Sequence, residues 1–330
     1  MKVSVVGAGS FGSAVADLGT RCNHDVLLWA HDPKVAEAIE TTRSNPFYLP
    51  SLRFSDRLSV TASLSDIASF SDLVVMAVPS HHYRTVLSQL AEHIHYPIRV
   101  VSATKGIENQ TLKRMSQVTA ESLPDRLECF GAFSGPTFAI ELSRGDPTAA
   151  VIASRDAHFA EEMQARLSSD TFRLYRSDDV IGVELAGSLK NVIAIAAGVL
   201  EGIGLGFNTN AALITRGLHE IRRLGMALGG RPETFAGLAG MGDLVLTCTG
   251  SISRNRAVGV ELGKGKKLET ILTETRLIAE GVKTCKSAHD LAQRHQIEMP
   301  IIREMHSLLY EGATAKESIQ RLMTRTLKPE

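Results

Sequence analysis

Val3-Ser4-Val5-Val6-Gly7-Ala8-Gly9-Ser10-Phe11-Gly12 decides how this chain is read: a β-rich run delivers three glycines in the spacing G-x-G-x-x-G, and a helical pattern carrying Ala14, Val15 and Ala16 follows at once. In that order of strand, turn and helix each glycine has a mechanical task. Gly7 permits the tight turn, Gly9 lets the backbone approach a pyrophosphate, and Gly12 lets helix and strand pack closely. A helix opening at about Ser10 then turns its first N–H groups and the positive end of its dipole toward phosphate. The segment predicts a dinucleotide site built largely from main chain.

Outward from this turn the β–α rhythm persists. Strands are expected at 25–29, 72–78, 98–102 and 127–133, with helices after Pro33 and over 81–93, and two further strands at 148–153 and 171–175 bracket a helix over 156–168. Such alternation argues for a parallel sheet covered on both faces. The segment 44–54, with Pro46 and Pro50 around Phe47, Tyr48 and Leu49, reads as an ordered loop. From about Asp178 the β signal stops and apolar residues recur at helical spacing to Leu322. The expected architecture is α/β: an N-terminal doubly wound, Rossmann-type domain over 1–180, then an all-helical C-terminal domain over 181–330. A cleft between the two is where a ligand is expected.

Composition narrows the function classes. Lys plus Arg equals Asp plus Glu at 36 each, which removes the broad positive field that nucleic-acid or acidic-membrane binding needs. Cys22, Cys129, Cys248 and Cys285 form no C-x-x-C pair, against a zinc ribbon or disulfide framework and in favour of a reducing cytosol, and no metal site is expected. No signal peptide is read at the N-terminus, and residues 185–200, Ala- and Gly-rich around Lys190, read as a buried helix and not a bilayer span.

Several residues stand out chemically. Lys190 is the lone basic group on that apolar helix; it either snorkels or pairs with Glu184, or is a partly desolvated amine, its pKa lowered toward neutrality, that exchanges a hydroxyl proton during hydride transfer. Lys105, just past a sheet strand, is either a carbonyl-polarising cation or a solvated charge. Asp243 sits in the glycine-rich loop 237–244 and either orients a lysine or caps a helix. Ser253-Arg254-Asn255-Arg256 opens a helix with groups suited to a phosphate dianion, or is an ordinary cap. Gly135-Pro136-Thr137 ends a strand and begins a helix. After the second strand, His31 could stack on adenine or touch a 2′-phosphate, while Asp32 serves a ribose or, the preferred reading, caps the helix at Pro33, so NAD and NADP both remain open.

Taken in order along nearly the whole chain, GAGSFGSAVA at 7–16, NPFYLP at 45–50, AVPS at 77–80, SATKGIE at 102–108, SGPTFA at 134–139, ELAGSLKNV at 184–192, GLAGMGDL at 237–244, SRNR at 253–256 and AEGVKT at 279–284 closely resemble the bacterial NAD(P)-dependent glycerol-3-phosphate dehydrogenase family. The resemblance implies reduction of dihydroxyacetone phosphate for glycerophospholipid synthesis, with Lys190 as the proton-exchanging residue. It implies that Lys105, Gly135, Thr137, Lys190, Asp243, Ser253, Arg254 and Asn255 surround the substrate. It also implies that Ser10, Phe11, His31, Lys105, Ala139, Arg254, Ile278 and Glu280 join Gly7, Gly9 and Gly12 at the NAD or NADP. His31 departs from the Arg that many members carry there, which puts tight NADP selectivity in question. The competing expectations are a related hydroxyacid dehydrogenase or ketopantoate reductase, which would take a carboxylate substrate, and a non-catalytic dinucleotide-binding redox sensor. The expected partner is a small phosphorylated molecule, and the apolar helical half is compatible with a homodimer.

Overall fold

The computed structural model describes residues 1–274 and 279–327. The chain divides into two compact units, residues 1–105 with 113–184, and residues 106–112 with 185–330.

The first unit carries strands β1 (Lys2–Val6), β2 (Asp25–Trp29), β3 (Ser44–Asn45), β4 (Leu49–Arg53), β5 (Leu58–Thr61), β6 (Leu73–Met76), β7 (Ile98–Ser102), β8 (Leu127–Ser134), β9 (Thr148–Ala153) and β10 (Phe172–Ser177). Eight of them form one sheet in the order β10-β9-β8-β7-β6-β1-β2-β5. Every neighbouring pair is parallel except β8 and β9. The chain leaves β1 toward β2 and β5 and returns on the other side of β1 as β6, so the winding reverses between β1 and β6, where open α/β sheets bind ligands.

Period two divides the apolar residues between the faces. Val3, Val5, Val26, Leu28, Leu73 and Val75 join a core with helices Ser10–Arg21, Pro33–Thr42 and Ala157–Leu167. Val6, Leu27, Trp29, Val74, Met76, Ile98 and Val100 join the opposite core with helices Leu64–Phe70, Ser80–Ala91 and Met115–Ser122. Burial on both faces is why these strands are mostly apolar.

Residues 44–54 are not a loop: β3 and β4 pair antiparallel, with Ser44 opposite Arg53 and Asn45 opposite Leu49. The prolines fit because a two-stranded ribbon has free edges that need no ladder N–H from Pro50, and Pro46 falls between the strands.

The second unit is helical. Helix Val180–Ile203, whose residues from Leu185 on belong to it, is long and apolar enough to cross a membrane, yet 89% of its most apolar stretch is buried inside the protein. Residues 106–112 also belong to this unit, where the Ser287 hydroxyl donates to the Ile107 carbonyl at 3.3 Å. Gly198 and Gly202 on helix Val180–Ile203 meet Gly259 and Gly263 on helix Arg254–Gly263 backbone to backbone. A Cβ on Gly198 would lie 2.0 Å from the Arg256 carbonyl oxygen, and one on Gly259 would lie 2.0 Å from that of Ile195. All four cysteines are free thiols.

Candidate functional site

In the first unit the glycine turn joins β1 to helix Ser10–Arg21. Gly7 has φ +120°, which an L side chain rarely adopts, and a Cβ there would meet the Ala77 carbonyl oxygen at 2.7 Å. A Cβ on Gly12 would lie 1.8 Å from the Gly7 carbonyl oxygen. Gly9 differs: a Cβ there meets nothing within 4 Å, and as the helix N-cap it contributes no side-chain hydrogen bond. Two glycines are thus required by the fold, and the third keeps open space in front of a helix N-terminus. The turn fits a dinucleotide pyrophosphate.

Around it, the Lys105 ammonium donates to the Gly135 carbonyl at 3.1 Å and lies 5.6 Å from the centre of the Phe11 ring. Thr137 is buried, with its hydroxyl on the same Gly135 carbonyl at 3.1 Å. Phe11, Lys105, Gly135 and Thr137 are therefore gathered beyond the carboxyl ends of β1, β7 and β8. Gly135 has φ +146°, and a Cβ there would meet the Ala150 Cα at 2.8 Å. The helix expected at Gly135-Pro136-Thr137 begins only at Ala139 and runs to Arg144, because Phe138 still has extended backbone. Its six residues make a weak dipole, so an anion held there would rely on Lys105.

At the end of β2, His31 is exposed, its ring centre 5.7 Å from that of Trp29. Asp32 caps helix Pro33–Thr42, accepting from the Lys34 N–H at 3.0 Å.

In the second unit Lys190 and Asp243 are 6% and 1% exposed, and the ammonium donates to Asp243 Oδ1 and to the Thr247 hydroxyl, each at 2.6 Å. A buried ammonium needs such a partner. The pairing with Glu184 considered from sequence is replaced: six residues on a helix is about 240° of rotation, so the two side chains leave on different faces. Glu184 instead accepts from Arg114 at 2.5 Å and from the Ser116 N–H and hydroxyl at 2.6 Å each. Its burial pushes the carboxyl upward in pKa, with Arg114 the largest opposing influence.

Asp243 is not in a loop. A π-helical turn over Leu238–Gly242 feeds helix Asp243–Thr249, and Gly242, not Asp243, is the N-cap. Such turns widen a helix locally and are frequent at functional sites. Gly240 is needed there, since its Cβ would lie 2.1 Å from the Phe235 carbonyl oxygen. The neighbouring Cys248 thiol is pushed up to about 12, chiefly by burial.

Ser253 caps helix Arg254–Gly263, accepting from the Arg256 N–H at 3.3 Å. The Asn255 amide donates to Asn191 Oδ1 at 3.0 Å and accepts from the Gly281 N–H at 2.9 Å. It ties together the helices carrying Lys190, Arg254 and Glu280, and so has a structural task whatever it binds. Glu280 opens helix Glu280–Arg294; Ile278 lies outside the described residues.

Family models for the N-terminus and the C-terminus of NAD-dependent glycerol-3-phosphate dehydrogenase match residues 2–160 and 179–320. The glycerol-3-phosphate dehydrogenase [NAD(P)+] of Geobacter sulfurreducens is 49% identical over 100% of this chain and 98% of its own, and that of Syntrophotalea carbinolica 48% identical over 100% and 99%. The chain belongs to the NAD-dependent glycerol-3-phosphate dehydrogenase family. A solved member from Coxiella burnetii superposes with a TM-score of 0.94 at 36% identity, covering 98% of this chain and 99% of the other. The family's dinucleotide-binding sheet and helical second half are thus both present, and NAD or NADP is the cofactor.

Asn45, Thr247 and the glycines of the helix crossing have tasks that the sequence did not assign. Asn45 and Thr247 touch the glycine turn and Lys190 respectively; Asn45 lay inside a quoted motif without an assigned task. The crossing glycines carried a readable signal, since Gly198/Gly202 and Gly259/Gly263 each repeat at i and i+4, the spacing of one helix face.

Proposed function

We propose that this protein catalyses the reversible, NAD(P)-dependent reduction of dihydroxyacetone phosphate to sn-glycerol 3-phosphate. The observation that carries the reading is the buried Lys190–Asp243 ion pair, an acid held out of water on an otherwise apolar helix. A bound nicotinamide dinucleotide supplies the hydride. Lys190 Nζ gives a proton to the carbonyl oxygen as it becomes a hydroxyl, and takes one from it in the reverse direction. Asp243 balances the ammonium and aims it, and the Thr247 hydroxyl fixes a second direction. Ser253, Arg254 and Asn255, at the start of one helix, hold the substrate phosphate; Arg254 supplies the planar fork that suits a dianion. Lys105, Gly135 and Thr137 complete the substrate contacts. Main-chain N–H groups from Ser10 to Gly12 hold the pyrophosphate, with Phe11, His31, Ala139, Ile278 and Glu280 as further cofactor contacts.

The test is a steady-state assay of dihydroxyacetone phosphate with NADH and NADPH in parallel, beside panels of keto acids and hydroxy acids. Turnover of the phosphorylated ketone is expected to exceed that of any carboxylate; preference for a keto acid would overturn the assignment.

A further inference from the structure

We infer that Asn45 is a positioning residue for the dinucleotide site, bracing the glycine turn from behind in its binding shape. The inference rests on the reading of Gly7 to Gly12 as that site. Asn45 is fully buried, and its amide nitrogen donates to the Ala8 carbonyl at 2.8 Å and to the Ser13 hydroxyl at 3.0 Å. Ala8 lies between the first two glycines and Ser13 in the first turn of the helix, so one side chain spans the turn whose N–H groups face phosphate. Its carbonyl oxygen accepts from the Tyr48 N–H at 3.3 Å, which fixes the amide's orientation. A return bond runs from the Ser10 hydroxyl to the Tyr48 carbonyl at 2.8 Å. The β3–β4 ribbon and the glycine turn are thereby cross-braced in both directions.

This arrangement needs a primary amide. Two acceptors, Ala8 O and Ser13 Oγ, face one nitrogen, and one donor, Tyr48 N–H, faces the oxygen. Alanine removes all three bonds; aspartate turns an acceptor toward the Ala8 carbonyl and puts negative charge behind a phosphate site. A turn containing Gly7 at φ +120° has many alternatives when unbraced. Holding it in one shape beforehand lowers the ordering that binding must impose.

The experiment titrates NADPH and NADH into the full chain, without substrate, for the wild type, Asn45→Ala, Asn45→Asp and Ser13→Ala, following nicotinamide fluorescence, with melting temperatures of the free proteins and kcat and KM alongside. Asn45→Ala is expected to weaken NADPH binding about tenfold, Asn45→Asp more, and Ser13→Ala about threefold, with kcat at saturating cofactor nearly unchanged. A lower melting temperature with an unaltered dissociation constant would make Asn45 merely structural and overturn the inference. Should neither Asn45 variant fold, Ser13→Ala decides by the same constant, weakened binding upholding the inference and an unaltered constant overturning it. A wild type that binds neither NADPH nor NADH overturns the dinucleotide reading and this one with it, whereas wild-type binding with unaltered variants removes only the role of Asn45.

Discussion

In the sheet-bearing unit the groups assigned to the cofactor are mostly main-chain N–H groups, shaped by glycines and braced by a side chain that stands behind them. In the helical unit the groups assigned to proton exchange are side-chain charges, an ammonium and a carboxylate that tolerate burial because they meet at 2.6 Å. The difference teaches how each half fails. A backbone site is spoiled by adding atoms, a side-chain site by removing one of two partners.

The largest effect is expected where a partner is removed. Lys190→Ala should lower turnover by about 10²–10⁴-fold while leaving NADPH binding intact. It also takes the ammonium partner from the buried Asp243 carboxylate, a loss of about 3–5 kcal/mol of stability. Lys190→Ala with Asp243→Asn should recover much of the stability and none of the turnover, read by chemical unfolding beside the assay. Recovery of both would mean that Lys190 serves packing alone.

Glu220 tests the same rule away from the chemistry. It is buried and accepts from the Ile301 and Ile302 N–H groups at 2.7 and 3.2 Å, capping helix Pro300–Tyr310 from another helix. Burial raises its pKa from the ordinary 4.5 to about 7, so between those values the folded protein holds a proton that the unfolded chain has lost. Its contribution to stability is fullest below pH 4.5, falls as pH rises toward 7, and is level above, a change of about 3 kcal/mol. Unfolding free energies at pH 5, 6 and 8 should show the wild type losing its advantage over Glu220→Gln as pH rises. A gap independent of pH would show that Glu220 titrates alike in both states.

The smallest effects come from adding a methyl group to the turn. Gly12→Ala should cost about 1–3 kcal/mol of stability, because its Cβ is driven into the Gly7 carbonyl. Gly9→Ala should cost well under that in the free protein, since open space receives the Cβ, and should still weaken NADPH binding. If Gly9→Ala binds NADPH like the wild type, the pyrophosphate does not approach that α-carbon.

What could be read beforehand follows the same division. Lys2–Val6, Asp25–Trp29, Ile98–Ser102 and Thr148–Ala153 were legible to the residue because strands mostly covered on both faces are dense in apolar residues. The edge strand Leu58–Thr61 and the short helices Leu64–Phe70 and Met115–Ser122 went unread, being too brief to establish a period. The glycine turn was legible because its chemistry is local. The partner of Lys190 was legible only as an alternative: sequence proximity suggested Glu184, Asp243 was read as orienting a lysine or capping a helix, and the fold chose Asp243 from 53 residues away. Pairings at that separation are decided by how helices cross, which no local pattern records.

The four glycines where helix Val180–Ile203 crosses helix Arg254–Gly263 bear on how this protein can be re-engineered. With no side chains between them to repack, the two rods have no adjustable gasket, and the interval from Lys190 to the Ser253–Asn255 turn behaves as a rigid gauge. Attempts to admit a longer or shorter phosphorylated ketone by enlarging residues at this crossing would pry the gauge apart. Changes confined to the faces turned away from it leave the calibration alone.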